Sequence, residues 1–87
     1  TNSEAQITVY PNPFTNTVII EYHLPENAVQ AELIISDLTG RERRKYNVTN
    51  KPSLLVMYGY GLKQGMYIVQ LKVNGAVIEN VKLFYQE

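Results

Sequence analysis

The chain has no cysteine, no tryptophan, one histidine and one aspartate among its 87 residues. Without cysteine there is no disulfide to staple the fold and no thiol nucleophile. A lone histidine without cysteine cannot build a structural zinc site. The single aspartate, Asp37, excludes a calcium loop, which needs several carboxylates at alternate positions. No charge of one sign dominates, because eight Lys and Arg balance eight Asp and Glu. The electrostatic footprint of a nucleic-acid binder is therefore missing. Long apolar runs are missing too: the longest, Leu54 to Tyr58, falls far short of the roughly 20 residues that cross a bilayer as a helix. Ser3, Ser36 and Ser53 lie in no nucleophile-elbow pattern, and there is no glycine-rich phosphate loop. These absences predict a domain with no catalytic residues, no metal and no cofactor. Lack of cysteine leaves the redox compartment open.

The start, Thr1 to Gln6, has neither the basic nor the apolar region of a secretory signal peptide. It reads as the end of a linker to an upstream domain, with one folded domain over 7–87. At this length a chain buries only roughly 60–65% of its unfolded surface. With 45% hydrophobic residues, the core must come from packed apolar faces alone.

Those faces have period two, the signature of half-buried strands. Val18, Ile20, Tyr22 and Leu24 alternate with Thr17, Glu21 and His23, Ile19 being the exception. Ala31, Leu33 and Ile35 alternate with Gln30, Glu32 and Ser36, and Tyr67, Val69, Leu71 and Val73 with Gln70 and Lys72. Turn residues separate the runs. Asn74-Gly75 fits a type I′ hairpin, Asp37 to Gly40 a type I turn, and Leu24-Pro25-Glu26-Asn27 and Lys51-Pro52 mark two further breaks. Pro11-Asn12-Pro13 lacks two backbone donors and cannot lie inside a central ladder. Seven strands are predicted, around 7–10, 17–24, 30–37, 43–48, 53–58, 65–73 and 76–85. Together they predict an all-β, immunoglobulin-like antiparallel β-sandwich. Leu62 to Val69 resembles a tyrosine corner, with Tyr67 inward and Val69 where an antibody domain has cysteine. The predicted core is Val18, Ile20, Tyr22, Leu33, Ile35, Val56, Tyr67, Val69, Leu71, Val81 and Leu83.

Few side chains suggest chemistry. Glu21 and His23 share a strand face and could act as a base or a metal ligand, yet they equally suit a solvated face. Arg41, Arg43, Arg44 and Lys45 form the one charge cluster. It could meet an acidic partner or an anionic headgroup, or could serve to deter pairing at an edge strand. Tyr58-Gly59-Tyr60-Gly61 offers two aromatic faces for sugar stacking, or a cover for the sandwich end. Asn47-Val48-Thr49 matches a glycosylation acceptor, which carries no meaning without a source.

Four segments follow a recognisable order: Val9-Tyr10-Pro11-Asn12-Pro13-Phe14, then Ile35 to Arg41, then Leu62 to Leu71, and the closing Val81-Lys82-Leu83. In order and spacing the chain resembles, from about Ile7 onward, the C-terminal sorting domain of Bacteroidetes type IX (Por) secretion cargo. Its ending, Phe84-Tyr85-Gln86-Glu87, departs from the basic ending of many members. The resemblance implies a non-catalytic address for an attached, already folded cargo. The implied partners are the outer-membrane type IX translocon with its cargo-shuttling component, a sortase-like cysteine protease, and the upstream cargo domain in cis. The implied route is the periplasm in transit, then the outer membrane and cell surface or the extracellular space, after cleavage and either surface attachment or release. Pro11, Asn12 and Pro13 match the first motif, Gly65 and Tyr67 the second, and Lys82 and Leu83 the third. Each of the first five could be read by a receptor or could only shape the fold. Turn and corner geometry, which demand those residue types, favour the structural role, and Leu83 fills the core. Lys82 points outward, where packing does not demand it. Two other readings compete: a carbohydrate-binding module, and a structural immunoglobulin-like spacer in an extracellular enzyme or adhesin. Exposed edge strands would also allow a homodimer.

Overall fold

The computed structural model describes residues 6–49 and 53–87. Seven strands and no helix occur among them: β1 (Gln6–Tyr10), β2 (Thr17–His23), β3 (Ala31–Asp37), β4 (Glu42–Val48), β5 (Leu54–Tyr58), β6 (Gly65–Val73) and β7 (Ala76–Tyr85). They pair antiparallel into two sheets, one ordered β1-β2-β5 and the other β4-β3-β6-β7. This is the predicted two-sheet sandwich. Most of the expected linker, and the break at Lys51-Pro52, lie outside the described residues.

The local signals act as expected. Val73 pairs with Ala76, leaving Asn74 and Gly75 as a two-residue hairpin, with φ of 51° and 88°. Asn74 is more than a turn residue. Its Oδ1 accepts from Val29 N and Gln30 N at 2.8 and 3.0 Å, and its Nδ2 donates to Asn27 O. The β2–β3 loop is thereby fastened to the β6–β7 hairpin. At the turn after β3, Gly40 N donates to Asp37 O at 3.0 Å. The Tyr67 hydroxyl donates to Lys63 O at 2.5 Å, which closes the tyrosine corner.

The core lies between the sheets, with Val18, Ile20, Leu33, Ile35, Val69, Leu71 and Leu83 fully enclosed. Val81 is only partly buried against them. The expectation for Val56 is wrong: it is 45% exposed, while Met57 is 1% exposed. Leu54 to Tyr58 is apolar throughout, so hydropathy could not choose its phase. The pairing of Val18 with Met57 decides it, since opposed residues share a face. On β3, Ile34 and Ser36 are buried as well as the inward residues, because this strand is flanked by β4 and β6.

Candidate functional site

The motif residues, dispersed in the chain, meet at the last half of β7. The prolines join β1 to β2 within one sheet rather than crossing between sheets, while the loop they shape reaches the other sheet. Asn12 Nδ2 donates to Lys82 O at 3.0 Å, and Phe84 N donates to Asn12 Oδ1 at 2.9 Å. One side-chain amide thus pairs with β7 as a neighbouring strand would. Phe14 continues the pairing, its N donating to Phe84 O and its O accepting from Gln86 N. Pro11, Asn12 and Pro13 are exposed, whereas Phe14 is buried. Both proline peptide bonds, Tyr10–Pro11 and Asn12–Pro13, are cis.

The second motif flanks the other side of β7. Gly65 is opposite Tyr85, Met66 opposite Phe84, and Tyr67 opposite Leu83. Gly65 has φ of 149°, a conformation that favours glycine. The Tyr85 ring packs on Phe14 with centroids 4.9 Å apart. A Cβ on Gly59 would come within 2.3 Å of that ring, so the tyrosine occupies space that only glycine leaves.

By alternation Leu83 and Tyr85 face the core, and both are buried. Lys82 is exposed and Phe84 half-buried on the outer face. There Lys82 stands opposite Ile68, and Phe84 opposite Met66. The result is an outward strip with one cation and an apolar cross-strand pair. Lys82 takes no part in the one ion pair among the described residues, Lys45 with Glu32 at 3.9 Å.

The other candidates are separate from this strip. Glu21 accepts a hydrogen bond from the Tyr10 hydroxyl at 2.7 Å. That bond holds the phenol above its ordinary pKa. His23 is exposed, and no group of three His, Cys, Asp or Glu among the described residues could hold a metal ion. The basic cluster divides. Arg44 lies opposite the fully buried Ile35, so it points between the sheets. Its guanidinium donates to the carbonyls of Tyr58 and Tyr60, across to the other sheet. Composition alone missed this role; the alternation of Arg44, Tyr46 and Val48 was the available signal. Tyr58 and Tyr60 themselves are 62% and 91% exposed.

The family model of the secretion system C-terminal sorting domain matches residues 8–84. No curated protein matches the chain.

Proposed function

The chain belongs to the family of secretion system C-terminal sorting domains, and on that premise we propose which face of it is read and how the cargo is delivered. The family makes it a type IX secretion sorting signal, with a cargo protein in cis and the type IX machinery as partners. Its destination is the outer membrane, the cell surface or the extracellular space. Sorting domains of this family are generally non-catalytic.

In our reading the domain carries a folded cargo through the periplasm to the outer-membrane translocon, and the shuttling component reads the outward strip of β7. A sortase-like protease then removes the domain at the linker, and the cargo is attached to the surface or released. The observation that carries this reading is the convergence of three motifs on one strand end. Asn12 and Phe14 cover the β7 edge, Gly65 to Tyr67 pair with it, and Lys82 with Phe84 remain outside. Pro11, Pro13, Gly65, Tyr67 and Leu83 act by shaping that surface, and Lys82 acts by contact. A rigid address of this kind needs no catalytic group, consistent with a receptor-read signal.

The test is a fusion of residues 1–87 to a folded periplasmic reporter in a type IX-competent host. Surface or medium localisation is expected, and retention in the periplasm would overturn the reading. The exposure of Tyr60 favours one alternative, carbohydrate binding by stacking. Specific retention on a glycan affinity gel, lost in Tyr60→Ala, would support it.

A further inference from the structure

Beside that surface, the turn after β3 and the loop before β6 line a half-open cleft of about 360 Å³. Its lining brings Arg41, Arg43 and Lys63 together around a single carboxylate, Asp37. That carboxylate is committed to its own turn. Asp37 Oδ1 accepts from Thr39 N at 3.0 Å, Thr39 Oγ1 at 2.6 Å and Arg41 N at 3.0 Å. The neighbouring cations have other work, Arg44 on the Tyr58 and Tyr60 carbonyls and Lys45 on Glu32. Among the described residues, none of Arg41, Arg43 and Lys63 has a carboxylate within ion-pair distance. One carboxylate thus stands against three cations, and the excess positive charge favours an incoming anion.

The rest of the lining indicates what kind of anion. Met66, 39% exposed, supplies apolar surface beside the cations, and a Cβ on Gly65 would meet nothing within 4 Å. A small inorganic ion has no use for an apolar wall. A carboxylate carried on an aliphatic stem uses both features, with the head on guanidinium donors and the stem along Met66. We propose that this cleft is a carboxylate-binding site for an acidic, glutamate-bearing peptide segment of a protein partner. The site borders the Lys82–Phe84 strip at Met66, which stands opposite Phe84, yet its cations are not part of that strip and its test does not depend on export.

The experiment is an NMR titration of the isotopically labelled 87-residue chain with acetylated, amidated tetraglutamate. Saturable amide shifts confined to residues 37–43 and 63–67 are expected, with none from tetraglutamine. Affinity should fall about tenfold in an Arg43→Gln, Lys63→Gln double variant, as loss of charge-assisted hydrogen bonds implies. Arg41 is spared because its backbone closes the Asp37 turn. Should the double variant lose its dispersed spectrum, Lys63→Gln alone must still weaken binding about threefold. Absence of shifts at these residues overturns the proposal, as does undiminished binding by the variants. Equal competition by inorganic phosphate would make it a simple anion site, and preferential binding to anionic phosphatidylglycerol vesicles a membrane contact. Either result also overturns it.

Discussion

Leu71 is fully enclosed between the sheets, where it pairs with Leu33 across β3 and β6. Truncation to Ala leaves a cavity as well as losing transfer energy, at a cost of about 2–5 kcal/mol. That approaches the whole stability of a small domain. Leu71→Ala should therefore be largely unfolded by circular dichroism at ambient temperature, and an unchanged melting temperature would contradict the inward face. Asp37 gives a residue-scale effect of another kind. The hydrogen bond from Thr39, assisted by the Arg41 and Thr39 amides and the Arg41 charge, holds its carboxyl below the ordinary value. A depressed folded-state pKa contributes stability that is present above the unfolded value and lost as pH falls through the folded one. Stability should decline on acidification below the ordinary aspartate range. Asp37→Asn should flatten that part of a melting-temperature profile against pH.

At the scale of elements, the two edges of the larger sheet are guarded differently. β4 carries charges on its first four residues, Glu42 to Lys45, an inward Arg44 and a bulge near Ser36, devices that discourage pairing with another chain. β7 also has a bulge, near Lys72 on its partner, and its last half is covered by Asn12 and Phe14. Asn12→Ala removes two hydrogen bonds at an exposed edge, where water replaces part of each. A loss of about 1–2 kcal/mol is expected, from roughly 0.5–1.5 per bond. Hydrogen exchange at the Phe84 amide should accelerate more than at buried β6 amides. Asn12→Asp keeps the acceptor for Phe84 N but sets a carboxylate oxygen against the Lys82 carbonyl, so it should not restore the protection that Asn12 gives.

For the whole molecule, the question is whether the strip acts as a signal or the domain as a spacer. Truncation after Val81 would expose the core by removing Leu83, and failed export would then report unfolding. Lys82→Ala with Phe84→Ser avoids much of that, since Lys82 is exposed, joins no ion pair among the described residues, and exposed charges add little stability. The double variant should melt cooperatively, yet leave a fused reporter in the periplasm. Normal export by the folded variant would remove the strip from the recognition surface and return attention to Pro11–Pro13.

Seven strands, the Asn74-Gly75 hairpin and the Tyr67 corner were legible in the sequence because each depends on neighbours a few residues apart. Alternation sets a strand's face, and positive φ selects Asn and Gly. The family resemblance was legible as well, through ordered motifs at fixed spacing. What those motifs do together was not, because Asn12 and Phe84 are 72 residues apart and no local rule pairs a loop amide with a distant edge. The phase of β5 was hidden for a related reason. Its run from Leu54 to Tyr58 is apolar on both faces, so the choice between Val56 and Met57 rested on registry with β2. The division of the basic cluster likewise came from tertiary structure. Only the stacking of β4 against the β5 side of the other sheet turns Arg44 toward the Tyr58 and Tyr60 carbonyls, and only the meeting of two loops sets Arg41 and Arg43 beside Lys63.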